Sequence, residues 1–387
     1  MAMNRQTYWV LAAYYGAFFA ALGIMLPYWP LYLKEIGLGA EQIGILVALI
    51  HGMRVIGSPI WGHWADQGSR KTIIIITSLA TLAIFSLYYF GTSFWYLVVV
   101  TLLYSFVHSA PLALVDATAM EQATKYRGQY GRIRVWGSIG FIAAAQLVGL
   151  LLDWQPVTLI LPIITLLILF DVLLALLMPH EERHTNPDAK PVRIWSALTD
   201  PRLAWFYLAA LLMQFSHSGY YGFFSLHMQA SGYSRGEIGS FWSIGVLAEV
   251  LLLTWSKPFL KIGVSKLLII SLVLTSLRWS VYVSTTHWLI IGLVQTLHAF
   301  SFGAFHVASV KRLHDLAPPG RRASTQSWYS ALSFGIGGGL GMACSGYLYQ
   351  HVGAQGLFAV MAATAALGVF ACYRAVLLYH RDPADVV

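Results

Sequence analysis

The sequence is a succession of apolar runs, most of them near the roughly 20 residues that a helix needs to cross a lipid bilayer. The runs fall into two sets of six. The first set is Tyr8–Leu33, Gln42–Trp61, Thr72–Phe90, Phe94–Ala119, Arg134–Leu152 and Val157–Met178. The second set is Leu203–Met228, Ile238–Trp255, Lys266–Thr285, Trp288–Val310, Thr325–Tyr349 and Gly356–Leu378. We therefore predict an all-α integral membrane protein with twelve transmembrane helices.

One long polar stretch, Pro179–Pro201, separates the two sets of runs. It contains acidic and basic residues in mixed order, which is typical of a solvated linker. We predict a six-helix bundle over residues 1–178, a linker over residues 179–201 and a second six-helix bundle over residues 202–387.

The basic residues are distributed unevenly between the two sides of the predicted membrane domain. Of the 24 Lys and Arg residues, Lys34 and Arg235 lie in loops on one side, and three others lie inside spans. The remaining 19 lie on the side of the termini and the linker. Cytoplasmic loops carry an excess of basic residues, so we predict that both termini and the linker are cytoplasmic, with the chain in the inner (plasma) membrane. This excess accounts for the net charge of +8 without a nucleic-acid partner.

The composition argues against an enzyme. Only 10% of the residues are charged, against about 25% in an ordinary soluble domain. The two cysteines, Cys344 and Cys372, lie inside apolar runs and lack the spacing of metal ligands. We predict no enzymatic activity, no cofactor and no metal site.

A sequence repeat relates the two halves. The segment Gly37–Gly44 before the second span recurs as Gly232–Gly239 before the eighth, at an offset of 195 residues. The same offset relates Gly68–Lys71 to Gly263–Lys266. Because six spans separate the copies, the halves have the same topology and form parallel repeats. This arrangement suits alternating access, with a substrate site expected between the halves near the middle of the membrane.

The loop after the second span reads Gly62-His-Trp-Ala-Asp66-Gln-Gly-Ser-Arg70-Lys71. It resembles the signature of the major facilitator superfamily, Gly-x-x-x-Asp followed by Gly-x-Arg-Lys. The twelve spans and the central linker extend the resemblance over the whole chain, and it implies the major facilitator fold. At a helix junction Asp66 can accept hydrogen bonds and pair with an Arg. We therefore expect Asp66 and Arg70 to act in gating and not in substrate binding.

Ionisable side chains at bilayer depth are costly unless they pair or face water, so each is a candidate site residue. In the first half, Asp116 lies in span four and Arg134 opens span five. Adjacent antiparallel spans can bring these opposite charges together, and we predict that they pair. The element Tyr130-Gly-Arg-Ile-Arg134-Val-Trp136-Gly-Ser, with the preceding Asp, resembles the phenylpropionate permease group of the superfamily and, more distantly, the lactose permease.

The second half carries Glu249 in span eight, Arg278 in span nine and His298 in span ten. In the lactose permease pattern, residues of the corresponding spans bind the sugar and handle the proton. This chain departs from the pattern at Ser301, where the proton-carrying Glu is expected, and it has no counterpart of the pattern's Lys in span eleven. The proton carrier must therefore be sought among Glu249, Asp116 and His298. We favour Glu249; in the alternative, Glu249 only neutralises Arg278 as a buried ion pair.

The candidate substrate residues suit an aromatic carboxylate. Arg278 and His298 supply positive charge for a carboxylate. Ring faces for an aromatic group come from Trp136, Tyr220, Tyr221 and Trp279. We predict proton-coupled import of a small organic solute, with a phenylpropionate-like carboxylate as the best candidate, by a monomer in the lipid bilayer. A sugar or nucleoside symporter, a drug exporter and a membrane receptor are the alternatives, although the length leaves no room for a receptor's signalling domain.

Two intramembrane charges match neither pattern. We interpret Asp171 as a structural residue that reaches the linker-side surface by snorkelling. Arg54 lies between Gly52 and Gly57. It either adds positive charge to a cavity or pairs with a neighbouring helix, and the sequence favours neither.

Overall fold

The computed structural model describes residues 4–126, 130–179, 200–255, 259, 261–317 and 322–380. Over these residues the chain consists of helices and turns, without a β-strand. The all-α prediction is confirmed. Most of the predicted linker lies outside the described residues.

The helices follow the predicted spans closely. The first half contains α1 (Arg5–Glu35), α2 (Ala40–Gln67), α3 (Arg70–Phe85), α4 (Phe94–His108), α5 (Pro111–Lys125), α6 (Tyr130–Leu152) and α7 (Ile160–Leu176). The second half contains α8 (Pro201–Ala230), α9 (Arg235–Thr254), α10 (Val264–Ser284), α11 (Trp288–Gln295), α12 (Phe305–Leu316), α13 (Arg322–Ser330) and α14 (Gly338–His380). Two π-helical segments, π1 (Ala299–Ala304) and π2 (Ala331–Gly337), interrupt the predicted spans ten and eleven. The fourth predicted span is shared by α4 and α5, because Pro111 favours a new helix start.

Ten segments of the described chain are long and apolar enough to cross a membrane. The last of them, Thr325–Tyr379, has 55 residues. Gly353 interrupts it with a φ of 70° and a ψ of −176°, so the segment supplies two spans. α8 has 30 residues, enough for a crossing, and it is less apolar because it contains buried Gln214 and His217. The ten segments, the additional span from the division at Gly353 and α8 together give the twelve predicted spans.

The sequence repeat has a structural counterpart in two turns. Gly37 and Gly232 both have a left-handed backbone, with φ of 96° and 92°. Glycine is favoured there because it has no Cβ. α2 then begins at Ala40 and α9 at Arg235, so the helix starts keep the offset of 195 positions. The chain therefore enters the second and eighth spans through turns of the same conformation, as parallel repeats require.

The chain divides into two compact units. Unit 1 comprises Met1–Pro187 with Ser225–Ser243, and unit 2 comprises Asp188–Phe224 with Ile244–Val387. The units differ from the bundles predicted from the sequence mainly in the segment Ser225–Ser243, which joins unit 1.

In unit 1, glycines allow α1 and α6 to pack closely. A Cβ on Gly140 would lie 2.1 Å from the Gly16 carbonyl oxygen, and a Cβ on Gly23 would lie 2.5 Å from the Phe141 carbonyl oxygen. Small residues at such contacts let helices approach one another in a membrane. The packing places the first turns of α6, which carry Arg134, beside α1.

The segment Ser225–Ser243 is held in unit 1 by close contact and by hydrogen bonds. A Cβ on Gly239 would lie 2.3 Å from the Ala145 carbonyl oxygen. Both carboxylate oxygens of Asp153 accept from the Gly236 backbone N–H, at 3.1 and 3.2 Å. Gly236 lies in the first turn of α9, where a carboxylate is favourable because the backbone N–H groups lack helical partners.

In unit 2, the two π-helical segments face a common cavity. Ser301 and Phe302 of π1 line this cavity together with Ser333 and Phe334 of π2. π-Helical turns are rare and occur frequently at functional sites. The residues around π1 are therefore candidates for a functional site.

Candidate functional site

Arg278 of α10 is fully buried, with an exposed fraction of 0%. Its guanidinium donates hydrogen bonds at 2.6 Å to Gln295 Oε1, 3.2 Å to the Tyr282 hydroxyl, 3.3 Å to Ser301 Oγ and 3.0 Å to His298 Nδ1. None of these acceptors is a carboxylate. Within the described part of the chain, no carboxylate forms an ion pair with Arg278.

Aromatic rings surround the same guanidinium. Its Cζ lies 4.3 Å from the ring centroid of Tyr220 and 4.8 Å from that of Trp279. At these distances a ring face attracts a cation. The Tyr221 ring adjoins that of Tyr220, with centroids 5.5 Å apart. The predicted residues Tyr220 and Tyr221 of α8 are therefore brought together with Arg278.

Two buried donors beside Arg278 lack an acceptor. Gln295 Nε2 and Trp279 Nε1 make no hydrogen bond to the described residues. Because Gln295 presents Oε1 to Arg278, its amide hydrogens must point elsewhere. Buried polar groups are normally satisfied. An anionic ligand with oxygen acceptors would satisfy both donors and compensate the guanidinium charge.

His298 connects Arg278 to Glu249 of α9. An arginine can only donate, so His298 Nδ1 is the acceptor and the ring hydrogen lies on Nε2. Nε2 faces Glu249 Oε2 at 3.5 Å. The Glu249 side chain is 20% exposed and that of His298 is 8% exposed, so the carboxylate is the end of this series that water reaches. Glu249 thus meets Arg278 through the imidazole, and the direct ion pair considered from the sequence is not formed.

π1 provides room for Glu249 and a substitute for the expected acid. A Cβ on Gly303 would lie 3.0 Å from Glu249 Cγ, so a glycine here admits the side chain. Ser301, at the position where the lactose permease pattern has Glu, accepts from Arg278 at 3.3 Å. His217 of α8 lies with Nε2 3.4 Å from the same hydroxyl. A neutral hydroxyl therefore occupies the position of the expected carboxylate.

In unit 1, the predicted ion pair between Asp116 and Arg134 is not formed. Asp116 accepts hydrogen bonds from the hydroxyls of Tyr15 and Tyr130, the second at 2.9 Å. Arg134 instead lies over aromatic rings, with Cζ 3.9 Å from the centroid of Phe19 and 5.5 Å from that of Tyr15. Tyr15 therefore contacts both charges. The prediction failed because hydroxyl donors and ring faces satisfy the two groups separately.

The remaining first-half candidates have other surroundings. Trp136 donates to the Tyr8 hydroxyl at 3.3 Å and packs against Trp9, with ring centroids 5.5 Å apart. It belongs to an aromatic cluster at the start of α1. Arg54 is exposed and has Tyr104 as an electrostatic neighbour.

At the start of α3, Arg70 forms an ion pair with Glu121 of α5, at 3.0 Å. Both side chains are 25% exposed. Asp66 lies in the last turn of α2, and its side chain is outside what the structure describes. The gating role of Asp66 and Arg70 stays a prediction. Glu121, the ion-pair partner of Arg70, was not suggested by the sequence.

Asp171 corrects a second expectation. It is 5% exposed and lies inside unit 1, so it does not snorkel to the surface. A carboxyl five residues before the end of α7 was expected to reach water, but neighbouring helices cover it.

Several partners of the charged residues were not predicted from the sequence. Tyr282 could have been found, because it follows Arg278 by four positions and so lies on the same helix face. Gln295 is a polar residue in an apolar span, which is also a signal. Tyr15 is 101 positions from Asp116 in sequence, and only the packing of α1 reveals the contact.

Comparison with known proteins assigns the family. Residues 8–360 match the MFS_1 like family. The chain is 32% identical over 378 residues to a probable 3-phenylpropionic acid transporter of Escherichia coli (strain K12), covering 95% of this chain and 97% of the relative. It is 26% identical to a maltose permease of Geobacillus stearothermophilus, covering 92% of this chain and 91% of that protein.

A solved structure shows the same fold. The crystal structure of the nucleoside transporter NupG (D323A mutant) superposes with a TM-score of 0.87 over 95% of this chain and 99% of that chain, at 19% identity. At this identity the likeness concerns the fold alone. With the twelve apolar spans and the relatives above, the chain belongs to the MFS_1 like family and is a multi-pass membrane transporter of the major facilitator superfamily, not an enzyme.

Proposed function

We propose that this transporter imports small aromatic carboxylates together with protons. The observation that carries the proposal is the environment of Arg278: a buried cation without a described carboxylate partner, beside the unsatisfied donors of Gln295 and Trp279. A substrate carboxylate would accept from these donors. The substrate's ring would pack on Tyr220 and Tyr221. The 3-phenylpropionic acid named for the Escherichia coli relative combines the same two groups.

Glu249 is the proposed proton carrier. A substrate anion at Arg278 makes the site more negative, and a more negative site favours the protonated form of a nearby carboxyl. When the site opens to the cytoplasm, loss of this proton restores the negative charge and promotes release of the anion. His298 orients Glu249 through its Nε2 hydrogen.

Asp116 is the less suitable carrier. Two tyrosine hydroxyls donate to it, and hydrogen bonds to a carboxylate stabilise its charged form. We also propose that Asp116, Arg134 and Trp136 contribute to substrate binding. We also propose that Asp66 and Arg70 gate the cytoplasmic side, that both termini and the linker are cytoplasmic, and that the monomer is the functional unit.

Uptake into proteoliposomes tests the substrate class. Purified protein would be reconstituted into proteoliposomes with an alkaline interior, and radiolabelled 3-phenylpropionate would be added outside. Protein-free liposomes would serve as the blank for passive entry of the undissociated acid. We expect accumulation above the blank that a protonophore collapses. Hexanoate lacks the ring and 3-phenylpropanamide lacks the charge, so neither should compete. Accumulation of uridine or maltose in place of the aromatic acid would overturn the proposal.

A further inference from the structure

Asp171 is a buried carboxyl that the site around Arg278 does not use. It lies on α7, the most apolar of the candidate spans with a mean hydropathy of 2.9. Its Oδ1 has no hydrogen-bond partner, and no described Lys, Arg or His forms an ion pair with it. A charged carboxylate is costly in such apolar surroundings, and a buried carboxyl there takes up a proton instead.

The groups that face Asp171 are neutral. α7 packs against α1 and α3. Tyr14 of α1 and Tyr104 of α4 are its electrostatic neighbours. Ser78 of α3 lies beside Tyr14 and is 3% exposed. These hydroxyls and the carboxyl form a buried polar cluster in which Asp171 Oδ1 lacks a hydrogen-bond partner.

The charged residues of the packed helices lie toward the helix ends. They are Arg5, Lys34 and Glu35 of α1 and Arg70 and Lys71 of α3. The turn Ser86–Tyr89 also packs on α7, where Tyr89 contacts Thr165 at 3.0 Å. Arg54 is an electrostatic neighbour of Tyr104.

The cluster lies near one side of the membrane. Tyr14 is nine residues after the start of α1, Ser78 eight after the start of α3, and Asp171 five before the end of α7. At 1.5 Å per residue these distances are about 8 to 14 Å from helix ends that share one side. That side is the one we propose to be cytoplasmic. A modest separation of α1, α3 and α7 would hydrate the cluster from there.

We propose that Asp171 is a second proton-binding site of the transporter, loaded in this structure and discharged to the cytoplasm when the cluster hydrates. The inference rests on the proposed function. Glu249 and Asp171 each carry one proton inward with one substrate monocarboxylate. Two protons and one anion transfer one net positive charge, so transport is electrogenic.

Charge movement tests the inference. On solid-supported membranes, 3-phenylpropionate should evoke an inward positive current from the wild type and none from Asp171→Asn, which retains one proton per anion. In proteoliposomes an inside-negative potential should raise wild-type accumulation about tenfold for each 59 mV, and leave Asp171→Asn unchanged. Asp315→Asn, at a partly exposed carboxylate on α12, is the matched control and should keep the current. An electroneutral wild type, or a current that survives in Asp171→Asn, would overturn the inference.

A second readout needs no substrate. Infrared spectra of the wild type minus Asp171→Asn should contain the carbonyl stretch of a protonated carboxylic acid, and this band should disappear as the pH is raised. Absence of the band, or a band insensitive to pH, would show that Asp171 is not an exchanging proton site. This result is independent of the substrate class. Failure of Glu249→Gln to affect accumulation would contradict the proposed function and leave the infrared result standing.

Discussion

The Arg278 guanidinium donates a hydrogen bond to His298 Nδ1 at 3.0 Å, and this contact determines the tautomer of the histidine. With Nδ1 accepting, the ring hydrogen lies on Nε2 and faces Glu249. A proton arriving on His298 would have to occupy Nδ1 and break the bond to Arg278. The imidazole is therefore suited to orienting Glu249 and poorly suited to storing the proton itself.

Arg278→Gln is expected to weaken substrate binding by about 10- to 100-fold, because hydrogen bonds to a charged group contribute about 1.5–3 kcal/mol. Arg278→Lys keeps the charge but loses the planar set of donors, so we expect an intermediate loss. Titration of ligand-induced thermal stabilisation in detergent would measure both.

Arg374→Gln is the control for this substitution, since Arg374 is exposed on α14 and its guanidinium lies over the Trp205 ring, 5.6 Å from the centroid. It should bind as the wild type does. Unchanged affinity in Arg278→Gln would show that the carboxylate binds elsewhere.

Glu249→Gln should abolish proton-driven accumulation even with Asp171 intact, because return of the empty carrier requires loss of the Glu249 proton. The variant should retain counterflow. The amide has nearly the volume of the protonated acid, and exchange requires reorientation of the loaded carrier without net proton release. Accumulation and counterflow would be compared in proteoliposomes for Glu249→Gln, Asp116→Asn and His298→Gln. If Asp116→Asn lost accumulation and Glu249→Gln did not, the carrier would be Asp116. Normal accumulation in all three would exclude coupling through these residues.

Asp66→Asn should slow transport and shift the population toward the inward-open state, with equilibrium substrate binding largely intact. Glu121→Gln should act in the same direction, because it removes the 3.0 Å partner of Arg70. Uptake rates and binding would be measured on the same preparations. A folded variant that no longer bound substrate would place this loop in the binding site.

Gly239→Ala should destabilise the protein by about 1–3 kcal/mol, as expected when an extra methyl group is forced into a packed contact. Its Cβ would lie 2.3 Å from the Ala145 carbonyl oxygen and 2.5 Å from the Tyr28 hydroxyl. Gly52→Ala is the matched control, because no atom from outside its own helix lies within 4 Å of where its Cβ would be. Thermal unfolding would compare them, and equal stabilities would contradict the close contact between α9 and α6.

Membrane orientation can be measured by cysteine labelling in a background with Cys344 and Cys372 replaced by serine. We expect an impermeant thiol reagent applied to intact cells to label Ser231→Cys and to miss Asn186→Cys. Disrupted cells should label both, which controls for reactivity. The reverse pattern would place the linker outside the cytoplasm.

The twelve spans, the repeat and the family signature could be predicted from the sequence because each depends on local composition or on spacing along one chain. A long run of apolar residues is buried in lipid or against other helices, whichever helices pack beside it. The turns at Gly37 and Gly232 share their conformation for a similarly local reason. The second-half candidates Glu249, Arg278 and His298 could also be identified from the sequence, because ionisable residues are rare in apolar spans.

The partners of those charges depended on the tertiary structure. Opposite charges on adjacent spans suggested that Asp116 pairs with Arg134, yet tyrosine hydroxyls and a phenylalanine ring satisfy them instead. A sequence states which residues are costly to bury, but many neutral groups can compensate that cost, and the choice among them depends on which helix faces meet. Asp171 illustrates the same dependence on tertiary structure. An acidic residue in an apolar span is unusual in the sequence, but only the packing of α1 and α3 around α7 determines that it is buried and not exposed.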